Sequence, residues 1–302
     1  MKNFKNKKNI IGIILVVLIT IIGIFALVPV NKNYQDFNWM SKVEDDKLIT
    51  ELSIPGTHDS GAMHSFLDVA GKCQDLSIKK QLAIGVRFLD LRLQLVNDDL
   101  VIVHSFVDQN LSFESVLNDL DSFLEKNKSE FIIISIKKDA DDANSTIDFL
   151  DKLIKDLKKH TKIKFDTLPN TVGEARGNIY ILNRFSNNEI GVPAYTGWLD
   201  STTFEIGNLY VQDNYCISDV YVKLEDIKKT IDYSNNNKTR LVLNFTSCYL
   251  DNAFPPTYAG TAAKSINGWL LDNLDNDMHL GIMVVDFITF EISEKIYRRN
   301  IQ

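Results

Sequence analysis

Phe131-Ile-Ile-Ile-Ser135-Ile-Lys137 is apolar at consecutive positions, and so is Leu280-Gly-Ile-Met-Val-Val285 just before Asp286. Runs of that kind predict strands buried on both faces, as in a parallel sheet covered by helices. Working outward, further β-rich runs fall at 52–54, 86–96, 100–104, 178–182, 209–212 and 240–245, and segments of helical period lie between them. Ser112 reads as the cap of a helix whose stripe is Phe113, Val116, Leu117, Leu120, Phe123 and Leu124. Ser145 reads as the cap of another, bearing Leu150, Leu153, Ile154 and Leu157. The pattern predicts an α/β fold, a (β/α)8 barrel, with an open doubly wound sheet as the alternative. Neither a G-x-G-x-x-G nor a P-loop occurs, which argues against the nucleotide-binding form of the open sheet.

The 302 residues are 45% hydrophobic and 24% charged, a composition that supports a packed core. With 33 Lys and Arg against 40 acids the net charge is −7, so no nucleic-acid partner is expected. The first thirty-one residues stand apart. Lys2, Lys5, Lys7 and Lys8 precede an uncharged apolar run, residues 10–30, of about the length that crosses a bilayer. Residues 1–31 therefore read as an N-terminal transmembrane signal anchor or a signal peptide. Ile24 lies two residues before the cleavage point after Ala26, a poor match that favours a retained anchor. Residues 32–302 are then the extracytoplasmic domain, beginning with a linker that becomes a first helix by about Lys47. Cys73, Cys216 and Cys248 lack metal-ligand spacing and read as small buried residues; export permits one disulfide, but spacing nominates no pair.

Barrel chemistry sits where strands end at the C-terminal face. There the sequence places His58 and Asp59 after the first strand, Asp90 and Arg92 on one face of the second, and His104, Lys137, Arg184 and Asp213 at later strand ends. Asp286 interrupts the last apolar strand. Two imidazoles, several carboxylates and at least two cations suit phosphoryl transfer without a metal: one imidazole removes a hydroxyl proton, the other protonates the leaving oxygen, and a guanidinium neutralises the phosphate. For Arg92 the plainer reading is a salt bridge with Asp90. His64, His160 and His279 read as surface or structural residues. Asp139-Ala-Asp141-Asp142 lacks the EF-hand glycine and glutamate and reads as an acidic helix start. Tyr249, Leu250, Phe254 and Tyr258, in the loop after the seventh strand, could meet a bilayer or fold back on the core.

Ile54-Pro-Gly-Thr-His58-Asp59-Ser60, Gly85-Val-Arg-Phe-Leu-Asp90-Leu-Arg92, His104, Ser135-Ile-Lys137-Lys138 and Val285-Asp286-Phe287 together resemble bacterial phosphatidylinositol-specific phospholipase C. The resemblance runs in order from about Trp39 to the C-terminus; its first two motifs are specific and the later ones short. It implies a distorted TIM barrel that cleaves phosphatidylinositol to diacylglycerol and inositol 1,2-cyclic phosphate. It implies His58 as general base oriented by Asp286, and His104 as general acid assisted by Asp59. Arg92 would take the place held by calcium in the eukaryotic enzymes, so neither metal nor cofactor is implied. Lys137, Arg184 and Asp213 would bond inositol hydroxyls, and Tyr215 would stack on the ring. Ser105 stands where the family usually has glycine. The implied partners are phosphatidylinositol or a glycosylated inositol lipid, met by a monomer at a membrane surface. Two other readings stay open: a related phosphodiesterase acting on another phosphodiester, and a non-catalytic barrel binding inositol phosphates or glycans. Clustered Glu metal ligands, usual in the first, are not found, and the second has no need of two histidines and Arg92.

Overall fold

Each of the eight apolar runs carries a strand. In chain order the strands are β1 (Ile54–Thr57), β2 (Phe88–Val96), β3 (Asp99–His104), β4 (Val107–Ser112), β5 (Ile132–Lys138), β6 (Ile163–Lys164) and β7 (Ile179–Arg184). They continue as β8 (Val192–Pro193), β9 (Thr203–Ile206), β10 (Leu209–Gln212), β11 (Cys216–Ile217), β12 (Leu241–Phe245), β13 (Tyr249–Leu250) and β14 (Ile282–Val285). This computed structural model describes residues 38–64, 71–105, 107–251, 259–275 and 277–301, all within one compact unit, Asp36–Gln302. The basic and apolar N-terminal segment, and with it the anchor or signal peptide, lies outside the described residues. Among those described, no helix is long and apolar enough to cross a membrane.

β7, β5, β2, β1, β14, β12 and β10 lie side by side, all parallel. The first stave thus neighbours the last, and on both sides the strands follow in chain order, as they do in a sheet curled into a barrel. The open doubly wound alternative is excluded by that order. The expected ring of eight staves is corrected in one respect. The ladder ends at β7, with the two-residue β6 and β8 beside it, and at β10, edged by antiparallel β9. Among the described residues no pairing joins these ends, so the barrel is a curled sheet open at one seam.

A second correction concerns residues 100–104, which the sequence reads as a stave. β3 instead runs antiparallel to β2, and β4 antiparallel to β3. Asn97 and Asp98, at φ 51° and 65°, make the two-residue turn between β2 and β3. Positive φ at both positions is what a tight hairpin requires, and Asn and Asp tolerate it well.

The consecutive apolar positions follow from two cores. Phe88, Ile133, Leu182, Val211, Leu243 and Val284 pack inside the curl. Their neighbours Leu89, Ile134, Ile181 and Val285 face outward into the layer of helices. Those helices are α1 (Ile78–Ala83), α2 (Phe113–Lys126), α3 (Phe149–Leu157), α4 (Val172–Ala175), α5 (Val220–Asn236), α6 (Ala259–Asn273) and α7 (Phe290–Tyr297). Ser112 Oγ caps α2 by accepting from Ser115 N at 3.2 Å, and the whole predicted stripe is buried. α3 starts later than its sequence suggests: Asp148, not Ser145, caps it, accepting from the Leu150 and Asp151 amides. Ser145 Oγ is used elsewhere, accepting from Asp98 N at the hairpin turn.

The expected first helix is only a 3-10 turn, Trp39–Lys42, that plugs the lower end of the inner core. Trp39 stacks on Tyr297 at 5.6 Å and donates from Nε1 to Gly85 O at 2.9 Å. Gly85 has φ 108°, and a Cβ there would lie 2.9 Å from the Tyr297 ring, so no larger residue fits. Two residues on, Arg87 is fully buried and pairs with buried Glu130 at 2.8 Å. That arginine holds the fold beneath the site. All three cysteines are free thiols, Cys73 and Cys248 buried.

Candidate active site

Every second residue of a stave points inward, so climbing the inner face leads from core to chemistry. The inner positions read Ile54, Gly56, His58; Phe88, Asp90, Arg92; Ile133, Ser135, Lys137; Leu182, Arg184; Val211, Asp213; and Val284, Asp286. Strand register then sets the heights. Arg92 pairs with Lys137, and Lys137 with Arg184, in one row across β2, β5 and β7. His104 arrives differently, since the β2–β3 hairpin doubles back and delivers it to this rim.

One chain of contacts joins five of the candidates: Asp286, His58, Arg92, Asp59 and His104. Asp286 Oδ1 lies 2.7 Å from His58 Nδ1, and Arg92 Nη2 lies 2.7 Å from His58 Nε2. Because Arg92 can only donate, Nε2 is the accepting nitrogen and Nδ1–H donates to Asp286. Arg92 Nε is 3.6 Å from Asp59 Oδ2, which is 3.7 Å from His104 Nε2. The same guanidinium meets Asp90 at 3.3 Å and Asp139 at 3.9 Å. The plain Asp90–Arg92 salt bridge is therefore present, but it is one contact of several around a guanidinium that also faces an imidazole.

Burial and these neighbours set the charges. Burial works against protonated His58, yet Asp286 holds its pKa above the ordinary value. Burial pushes the Asp59 carboxyl up to about 7 despite Arg92, and burial with Arg92 and His58 pulls His104 down to about 4. Near neutrality a proton therefore rests on the Asp59 carboxyl, 3.7 Å from His104 Nε2. Asp90 is buried too, but Arg92 and Arg184 hold it well below the carboxylate range.

Three left-handed residues flank these groups: Asp59 itself at φ 41°, Ser105 after His104 at φ 54°, and Phe287 after Asp286 at φ 49°. Strain of this kind gathers at functional sites. The geometry at Ser105 favours glycine; serine holds it at a cost of about 1–2 kcal/mol. Ser105 N in turn donates to Asp139 Oδ2 at 2.8 Å.

The remaining candidates surround this chain. Lys137 Nζ bonds Asp139 at 2.6 Å, and Arg184 bonds Asp90 at 3.2 Å while its guanidinium lies 3.7 Å over the Trp198 ring. Trp198 Nε1 donates to Asp213 at 3.1 Å. Tyr215 stands farther out, bonding Asp200 through its hydroxyl with its ring 5.9 Å from that of Tyr249. Tyr249 is exposed, whereas Leu250 is half-buried against the outer core; Phe254 and Tyr258 lie outside the described residues.

Sequence reasoning missed several members. Asp139 is no helix start, for α3 begins only at Phe149; it ties Lys137, Ser105 and Arg92 together. Gln74 donates from Nε2 to both His58 O and Val285 O at 2.8 Å, pinning β1 to β14. Trp198 and fully buried Lys223 also went unnoticed, and no local pattern marks either of them. Of the histidines set aside, His160 bonds Asp121 at 2.6 Å and His279 bonds Ser234 at 2.8 Å, both buried.

Residues 52–184 match the family described as phosphatidylinositol-specific phospholipase C, X domain. A 1-phosphatidylinositol phosphodiesterase from Staphylococcus aureus (strain Newman) is 31% identical over 277 residues, covering 83% of this chain and 88% of that protein. One of the same name from Listeria monocytogenes is 28% identical over 287 residues, covering 90% and 87%. A solved structure of the S. aureus phosphatidylinositol-specific phospholipase C superposes with a TM-score of 0.77 at 26% identity, covering 85% of this chain and 96% of that one. Another, concerned with that enzyme's membrane binding, gives 0.75 at 27% identity, with coverage of 85% and 96%.

Proposed function

The chain belongs to the phosphatidylinositol-specific phospholipase C family and is a phospholipase C type enzyme, and from that premise we propose how it acts. Its substrate is phosphatidylinositol, free or as a glycosylated inositol lipid, and its products are diacylglycerol and inositol 1,2-cyclic phosphate. His58 Nε2 takes the proton of the inositol 2-hydroxyl, whose oxygen bonds to phosphorus while the bond to the diacylglycerol oxygen breaks. The Asp59–His104 pair delivers its proton to that leaving oxygen. Arg92 swings from His58 Nε2 onto the non-bridging phosphate oxygens, which frees the base as substrate arrives and neutralises the charge that develops.

One observation carries this reading: the unbroken series Asp286, His58, Arg92, Asp59, His104. A base and a proton-bearing pair stand on either side of a single guanidinium. In this reading each role falls to a protein side chain. Lys137, Arg184 and Asp213 are proposed to bond inositol hydroxyls and Tyr215 to cover the ring.

The same account takes residues 32–302 as a monomeric catalytic domain held outside the cytoplasmic membrane by residues 1–31, either as an anchor or, after cleavage, only in transit. Tyr249 would touch the bilayer, with Leu250, Phe254 and Tyr258 in the same loop. Leu199, Tyr221 and Val222 are exposed apolar side chains as well. Diacylglycerol release from mixed vesicles tests the substrate. It should appear when phosphatidylinositol is present and not with phosphatidylcholine alone; equal release from both would defeat the proposal.

A further inference from the structure

Cys73 is a buried thiol to which the reaction above gives no part, yet its Sγ stands between the two imidazoles. It forms one triangle with His58 and Asp286 and another with Asp59 and His104, the ligand atoms of each lying within 4.8 Å of one another. The two triangles differ in what is free. His58 Nδ1 is already bonded to Asp286 at 2.7 Å. In the second triangle Asp59 is fully buried, and neither carboxylate oxygen has a hydrogen-bond partner. Its charged neighbours, Arg92 and His104, stand off at 3.6 and 3.7 Å.

We propose that Asp59, Cys73 and His104 form an inhibitory site for a thiophilic divalent cation such as zinc. Sulfur, imidazole nitrogen and carboxylate oxygen are the donor set zinc prefers. Around one tetrahedral zinc, bonds of about 2.0–2.3 Å place ligand atoms roughly 3.3–3.8 Å apart, so the triangle needs only a small contraction. Part of the His104 side chain is exposed, at 29%, which gives an ion a way in, while Cys73 and Asp59 close the inner side. As the zinc–sulfur bond forms, the thiol proton leaves to solvent, together with the proton on the Asp59 carboxyl. Arg92 opposes an incoming cation, and Asp90 and Asp139, at 3.3 and 3.9 Å from its guanidinium, offset part of its charge.

Binding at this site does not depend on the reaction proposed above; the loss of activity does, because zinc would occupy the pair that delivers the proton. The test uses the reduced full chain. Without substrate, it should bind one zinc in competition with a colorimetric chelator. Its cobalt form should show a thiolate-to-metal charge-transfer band that zinc abolishes, and X-ray absorption of the zinc form should find one sulfur neighbour. Zinc should inhibit phosphatidylinositol cleavage and EDTA should restore it. Cys73→Ser should keep its basal turnover and need at least tenfold more zinc for half-inhibition, while Cys216→Ser and Cys248→Ser should behave as wild type. A cobalt spectrum without the thiolate band, a zinc shell of nitrogen and oxygen alone, or equal zinc sensitivity in Cys73→Ser would each overturn the proposal. The two spectroscopic readouts need no variant to fold and no substrate to be known.

Discussion

Asp59→Asn separates the charge of Asp59 from its shape. The residue sits at φ 41°, a conformation asparagine tolerates about as readily as aspartate, so the backbone should not move. Buried Asp59 keeps its proton to about 7, whereas in the unfolded chain it ionises near 3.8. Between those values Asp59 holds more protons in the native than in the unfolded state, so its own contribution to stability falls as pH rises through this window. At about 1.4 kcal/mol per unit, the two units between about pH 5 and pH 7 amount to about 3 kcal/mol. Asparagine resembles the neutral form at every pH and lacks this loss. Urea unfolding followed by tryptophan fluorescence should therefore show the stability difference moving by about 3 kcal/mol in the variant's favour between about pH 5 and about pH 8. Activity should move the other way. Without a carboxyl to carry that proton, only His104, pulled down to about 4, is left as the acid, so turnover at neutral pH drops and the alkaline limb shifts toward acid. A stability difference that stays constant with pH, together with an unmoved alkaline limb, would refute the reasoning that Asp59 carries the proton.

The proposed acid and base should each matter on the scale of general acid–base catalysis: His58→Ala and His104→Ala should each lower kcat at least about a hundredfold while circular dichroism stays native. Arg92→Lys should also fail to support wild-type turnover, since an ammonium lacks the fork that serves both phosphate and carboxylates; wild-type rates from this variant would remove Arg92 from the mechanism. Removing residues 1–31 should leave a soluble active enzyme. The full chain, if its anchor is retained, should sediment with membranes through a high-salt wash. Release into the medium with an N-terminus near Leu27 would show cleavage instead, and activity confined to the cytoplasm would defeat both versions.

What the sequence made legible depended on how local the cause was. Apolar runs such as 131–136 announced strands covered on both faces because period and burial are written in consecutive residues. Period-2 alternation placed Asp90 with Arg92 correctly for the same reason. His104 was found by a faulty route: it was read as a stave end, whereas it reaches the rim on a hairpin set by Asn97 and Asp98 at the far end of β2. The polar strand β4 and the two-residue pairings of β6, β8, β11 and β13 left too little pattern to read. Asp139, Gln74, Trp198 and Cys73 act through partners distant in sequence, Gln74 through Val285 for example, and only the register of the folded sheet brings such pairs together. The seam beside β7 was likewise invisible, because whether a sheet closes depends on its two ends meeting and not on any one strand.

The most direct test of the central claim is a phosphorus NMR time course of the purified protein acting on phosphatidylinositol vesicles in excess EDTA. The account predicts that the five-membered cyclic phosphate appears first, at a rate EDTA does not change, and is converted only slowly to inositol 1-phosphate. Direct formation of inositol 1-phosphate with no cyclic species, or activity that EDTA abolishes and calcium restores, would contradict attack by the 2-hydroxyl with Arg92 in the neutralising role.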